Sequence, residues 1–147
     1  MLPLEGIITD TLMRTPGMWD ADDEPCLLVV KAGSTTKTTI GRANGIFSIG
    51  RANGIFSIVR DYFQDMSIHQ TSMEWGIFGY DSKSGAFSAA GDSGSIIADI
   101  RGRIGGMLTG GSGNTTAFDI TYATPFWWLL QRIKANGFPN AHLGVLN

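Results

Sequence analysis

The sequence predicts an all-β domain that ends in a single helix. Short apolar or alternating runs, each bounded by clusters of Gly, Asn, Asp and Ser, recur between residues 6 and 122, the pattern of many short strands joined by tight turns. Twenty residues are Gly, 43% are hydrophobic and only 16% are charged, a balance that suits a folded, turn-rich protein and not a disordered one. After Pro125 the apolar spacing changes to that of a helix. A chain of 147 residues supports one ordinary hydrophobic core, so residues 1–147 are read as one domain.

In chain order, the first strand is expected over residues 7–13. The stretch Asp20-Ala21-Asp22-Asp23-Glu24-Pro25 reads as a solvated acidic turn: its spacing and its lack of Gly do not match a calcium loop. A continuous apolar run predicts the next strand over 26–31, and further strands are expected over 45–49, 55–60, 73–80, 95–100, 104–109 and 117–122. The helix begins at Pro125, which lacks an amide hydrogen and suits a first turn. Thr124 is expected to cap its free amides and Gly137 to supply the left-handed stop. Trp127 and Trp128 read as anchors of this helix on the strands.

Eleven basic and thirteen acidic side chains leave a formal charge of −2, which gives no electrostatic footprint for nucleic acid or an anionic membrane. Cys26 is the only cysteine, so no internal disulfide forms, and the apolar run after it marks a buried, inert thiol. Residues 1–10 lack the basic start and apolar stretch of a signal peptide, and no apolar run reaches the roughly 18 residues of a membrane span. Asn114-Thr115-Thr116 fits the glycosylation sequon, which matters only in a secreted chain. The sequence requires neither a metal nor a cofactor.

Residues 41–49 read GRANGIFSI, and residues 50–58 repeat them without a difference. An odd insertion of nine residues would reverse which side chains of a continuous strand face the core. Two arrangements absorb the shift. Gly50-Arg51-Ala52-Asn53-Gly54 is a suitable turn for an extra hairpin pairing 46–49 with 55–58; alternatively one copy loops out.

The chemistry is carried by Gly91-Asp92-Ser93-Gly94-Ser95, which lies between the turn-rich residues 82–90 and the strand beginning near Ile96. A nucleophilic serine needs its hydroxyl exposed on a sharp turn, with backbone amides aimed at the oxyanion formed by attack. Gly91 and Gly94 permit that turn, and the amides of Gly91 and Ser93 are the natural oxyanion-hole pair. The nucleophile elbow of α/β-hydrolases requires G-x-S-x-G followed by a helix, whereas Ser95 and a β-like run follow here. A plain Gly-rich turn is the alternative for the five residues taken alone.

Their context argues against it. Val30-Lys31-Ala32-Gly33-Ser34-Thr35-Thr36-Lys37-Thr38-Thr39-Ile40-Gly41 looks like a hairpin of the form V-x-K-x-G-x-x-T-G-x-T-x-G, with Lys37 where the internal Gly is usual. Downstream come Gly105-Gly106-Met107-Leu108-Thr109-Gly110-Gly111, then Asp119-Ile120-Thr121-Tyr122-Ala123-Thr124-Pro125 and the helix. On these residues, from about Cys26 to Gly137, the chain resembles the second barrel of chymotrypsin-like serine peptidases of the compact, disulfide-poor fungal and bacterial type. The resemblance implies an antiparallel Greek-key barrel, the nucleophile-bearing half of a double barrel, with a C-terminal helix. It implies Ser93 as nucleophile, Gly91 and Ser93 as oxyanion hole, and Thr109, Gly110 and Gly111 as the strand that holds an extended peptide substrate. It sets Phe87, six residues before Ser93, at the floor of the specificity pocket, which suits an apolar or small residue before the cut.

A serine hydroxyl also needs a histidine base oriented by a carboxylate, and the resemblance assigns both to a first barrel. This chain has only His69 and His142. His142 follows the helix, in the wrong order for the family. His69, Asp81 and Ser93 stand in the right order, but at intervals of twelve residues they are too close for a separate barrel, so His69 reads as structural or exposed. Asp92 reads as a partner in an ion pair or hydrogen bond. Two functions follow: part of a trypsin-like endopeptidase whose His and Asp come from a partner barrel, or a noncatalytic peptide-binding or interaction module. The face turned toward a missing barrel is expected to be apolar and to favour self-association.

Overall fold

The computed structural model describes residues 3–20, 23–43, 56–81, 83–112 and 120–144. Both arrangements expected for the tandem repeat turn on residues 44–55, and the sequon occupies 114–116, outside the described residues.

Residues 7–13 do not form the expected strand. Only Ile7 makes a bridge, parallel to Ile104, and the chain then turns into helix α1 (Asp10–Arg14). The reason is local: the Thr9 hydroxyl accepts from the Leu12 amide as an N-cap, and Arg14 reaches back to Asp10 at 2.9 Å. This turn carries Ile8 and Met13 into the core. The two-residue strand β1 (Met18–Trp19) follows.

Strand β2 (Pro25–Gly33) is the run expected at 26–31, extended at both ends. It pairs antiparallel with β3 (Lys37–Ala43), from Leu27 opposite Ala43 to Gly33 opposite Lys37. The hairpin turns as the motif 30–41 suggested, with Lys37 itself in the left-handed region at φ 58°. The second repeat copy leads into β4 (Phe56–Tyr62), which pairs with β5 (Ile68–Gly79) in a long hairpin. Next come β6 (Ile96–Asp99), β7 (Ile104–Gly111) and β8 (Thr121–Pro125); β8 runs past the expected end at 122, and residues 117–119 of that expectation lie outside the described residues.

Every pairing between these strands is antiparallel. Six of them close a barrel in the order β2-β3-β5-β8-β7-β6, with β6 returning to β2. Closure removes the open edges of the six-stranded sheet, while β1 and β4 sit outside the circuit. The core is built from Ile8, Met13, Leu27, Val29, Ala43, Trp75, Ile77, Phe87, Ile97, Leu108 and Ala123. Fully burying each large apolar side chain contributes about 1.5–3 kcal/mol.

Helix α2 (Phe126–Ala135) follows β8 directly and packs against β7 and β8. Pro125 is its N-cap and has no side-chain capping bond. The capping role expected of Thr124 is therefore overturned: its hydroxyl donates to Glu74 Oε2 at 2.9 Å, because Thr124 is still part of β8 and faces the neighbouring strand. Gly137 takes φ 101°, as the predicted stop requires. Trp127 packs against the core, whereas Trp128 is 44% exposed and lies under the Arg132 guanidinium. Among the described residues no helix is long and apolar enough to cross a membrane.

Candidate active site

Leu27, Val29 and Lys31 are alternate residues of β2 and all are buried, so the strand's period of two carries a lysine inward. An inward ammonium needs a partner. Lys31 Nζ finds it in Asp92 Oδ2 at 3.0 Å, with both side chains at 0% exposure. Lys31 also donates to Thr36 Oγ1 at 2.6 Å, and that hydroxyl donates to Asp92 Oδ2 at 2.6 Å. The backbone amides of Thr35, Thr36 and Ala89 complete the carboxylate's shell at 2.7, 3.2 and 3.1 Å. Burial alone would raise the Asp92 pKa. Hydrogen bonds from the Thr36 hydroxyl, Lys31 and the Thr35 and Ala89 amides outweigh it and hold the carboxyl far below the usual carboxylate range.

This cluster joins the β2–β3 turn to the segment before the candidate nucleophile. The Thr35 hydroxyl adds a bond to the Ala90 carbonyl at 2.8 Å. Gly33 must lack a side chain, because a Cβ there would collide with the Asp92 carboxylate. Asp92 thus has the structural role expected of it, and Lys31, Thr35 and Thr36 are the partners that sequence reasoning missed. The K-x-G-x-x-T spacing of the hairpin was the available signal, since it set lysine, glycine and threonine around one turn.

With Asp92 pointing inward, its neighbours face out. Ser93 is exposed, between Gly91 at φ 97° and Gly94 at φ 85°, the left-handed region that glycine enters most readily. The Gly94 amide donates to the Leu108 carbonyl at 2.8 Å, and the Leu108 amide donates to the Ser95 carbonyl at 2.9 Å, which clamps the turn to β7. Among the described residues the amides of Gly91 and Ser93 have no acceptor, and the Ser93 hydroxyl has no hydrogen-bond partner. Two N–H groups without acceptors therefore lie in the same turn as an exposed serine hydroxyl.

Immediately after Leu108 the register of β7 against β8 shifts, from Leu108 opposite Ala123 to Gly110 opposite Tyr122. Thr109 is the extra residue and ties its hydroxyl to the Tyr122 carbonyl at 3.2 Å. The β6 pairing ends at Met107, so residues 109–111 project beyond β6. Phe87 is 1% exposed and belongs to the core, with the Lys31 ammonium 5.5 Å from its ring centroid. Beside it, the buried hydroxyls of Ser88 and Thr121 meet at 2.6 Å, a pair the sequence did not reveal because 33 residues separate them.

A groove of about 810 Å³ runs from residues 109–111 along β4, β5 and β8 to the start of α2. It is lined by Met73, Glu74, Tyr122, Trp127 and Trp128 among others.

Among the described side chains no histidine is bonded to Ser93. His142 is exposed after α2, its Nδ1 2.8 Å from the Asn140 carbonyl. His69 lies in β5, and its side chain is outside the described residues. Asp81 is occupied by its own turn, accepting from the Lys83 and Ser84 amides at 2.8 and 2.6 Å, which lower its pKa. The acidic turn also differs from expectation: Asp20 is not solvated but paired with Arg42 at 2.7 Å, its side chain only 2% exposed. Cys26 is fully buried, and burial, followed by the charge of Asp20, pushes its thiol pKa up while Arg42 opposes. Among the described residues no group of side chains has the makings of a metal site.

Comparisons with known protein families, with curated proteins and with solved structures found no match.

Proposed function

We propose that this chain is the nucleophile-bearing barrel of a chymotrypsin-like serine endopeptidase, a Greek-key barrel in which Ser93 attacks a peptide carbonyl. The observation that carries the reading is the inward Asp92 of the 91–95 turn: bonded to Lys31 and Thr36, it leaves the Ser93 hydroxyl exposed beside the unpaired Gly91 and Ser93 amides. In this mechanism the serine oxygen forms the bond to the carbonyl carbon. Its proton passes to a base, and the oxyanion rests on the two amides. Residues 109–111 hold the substrate backbone by strand addition, and Phe87 closes the base of the specificity pocket.

The general base and its carboxylate come from a partner barrel. Trp128, Ile133 and Phe138, at 44%, 42% and 67% exposure, are among the exposed apolar side chains against which that barrel, or a second copy of this chain, would pack. A second reading, a noncatalytic peptide-binding module, is favoured by one observation: among the described residues no side chain is hydrogen-bonded to Ser93. A fluorophosphonate probe separates the two. Phosphonylation of Ser93, with imidazole added as an external base, supports the peptidase reading; a chain that stays unlabelled under those conditions supports the binding module.

A further inference from the structure

Side chains alternate along β5, so Trp75 and Ile77 point into the core while Ser72 and Glu74 turn to the outer side of the sheet. Ser72 lies opposite Val59 of β4, and Gly76 opposite Tyr122 of β8. Val59, Ser72, Glu74, Tyr122 and Thr124 therefore share one floor. Helix α2 begins where β8 ends, and Trp127, Trp128 and Leu129 of its first turn line the other side of the groove of about 810 Å³ that covers this floor.

Glu74 is the one charged side chain that lines the groove. It is 7% exposed. The Thr124 hydroxyl donates to Oε2 at 2.9 Å, and among the described residues nothing donates to Oε1 and no ion pair reaches the carboxylate. The other carboxylates held out of water differ: Asp92 has Lys31, Asp99 has Arg103 and Asp20 has Arg42. An ionised carboxylate shielded from water and served by one hydroxyl is costly, and a cation that donates to it there relieves the cost.

The surroundings select the kind of cation. One carboxylate and one hydroxyl offer too few oxygens for a metal ion, and among the described residues no metal-binding group forms. Tyr122 and Trp127 instead supply aromatic surface, and Met73, Pro125 and Leu129 supply apolar surface. Trp128 already carries a cation, with the Arg132 guanidinium 5.9 Å from its ring centroid. Such walls suit a cation with a hydrocarbon body, which gains from apolar contact and from the aromatic rings together.

We propose that this groove binds an organic ammonium ion, a primary amine with a short apolar body, whose N–H groups donate to Glu74 while its body lies against Trp127 and Tyr122. The site is independent of the peptidase reading. β8 and β7 stand between Glu74 and the outer edge of residues 109–111, so Glu74 does not read a peptide held on that edge.

The test is titration of the ¹⁵N-labelled full chain at pH 7 and constant ionic strength with n-butylammonium, n-butanol and butyrate, followed by amide shifts. The expected result is saturable shifts at residues 72–74 and 122–129 with n-butylammonium, at an affinity about tenfold above that of n-butanol, and no response to butyrate. In Glu74→Gln the affinity for n-butylammonium should fall about tenfold, to that of n-butanol. Equal affinities for n-butylammonium and n-butanol in the unaltered chain would overturn the proposal, as would shifts that do not saturate or that fall outside the groove. An n-butylammonium affinity unchanged in a folded Glu74→Gln chain would overturn it as well. The comparison of the three probes on the unaltered chain decides the matter even if Glu74→Gln folds poorly.

Discussion

Lys31 Nζ and Asp92 Oδ2 lie 3.0 Å apart with neither side chain exposed, across a separation of 61 residues. That pair connects a hairpin with no chemistry of its own to the turn that carries Ser93. A buried pair of this kind adds little net stability when both members are present, but removing one strands the other in the core.

Lys31→Met and Asp92→Asn are each expected to lower unfolding stability by about 3–5 kcal/mol, and the double variant by much less than the sum. Chemical denaturation of the three variants measures this. Additive effects would mean that the two groups are not energetically coupled.

The depressed pKa of Asp92 sets a pH dependence. Its folded pKa lies below the unfolded value of about 3.9, so the stability it contributes is complete above that value. It declines as pH falls below about 4 and is lost as pH passes the folded pKa. Thermal unfolding between pH 7 and pH 2 should show this fall, and the Asp92→Asn chain should show a shallower one.

Ser93→Ala should abolish probe labelling and change stability by no more than about 0.5 kcal/mol, since the side chain is exposed and unbonded. Gly91→Ala should do more. A Cβ at φ 97° is strained and would sit 2.6 Å from the Thr35 hydroxyl, so a loss of at least about 1 kcal/mol together with loss of labelling is expected. Paired labelling and melting experiments on the two variants check both.

Lys37 holds a left-handed conformation at φ 58° that a lysine enters at a cost, while its ammonium donates to the Ser34 carbonyl at 2.8 Å in an exposed bond. Lys37→Gly should raise stability by about 0.5–1 kcal/mol, and Lys37→Ala should not. A fall in melting temperature for the glycine variant would show that the bond to Ser34 outweighs the backbone strain.

The strands with runs of Val, Ile and Leu were legible, because burial on the barrel requires such runs wherever the partner strand comes from. Residues 26–31 show this in β2. The first element was misread for a physical reason: residues 7–13 are rich in β-branched side chains, yet Thr9 is a helix cap and Asp10 pairs with Arg14 one turn later. Local hydrogen bonds overrode propensity. The role of Thr124 was misread because its spacing to Pro125 fits a cap equally well whether or not a strand neighbour competes for the hydroxyl, and Glu74 does compete.

By itself the sequence determined the all-β class, a C-terminal helix with its stop at Gly137, and the exposed glycine-flanked turn at Ser93, because alternation, turn residues and backbone freedom are local properties. That the helix starts at Phe126, with Pro125 still in β8, was decided by the strand pairing. Only the tertiary structure decided that Lys31 turns inward to Asp92, that Ser88 meets Thr121, and that Glu74 lines a groove beside residues 109–111. Each of these depends on which strands become neighbours when the barrel closes, and a contact between residues 30 or 60 positions apart leaves no mark in the spacing of either segment.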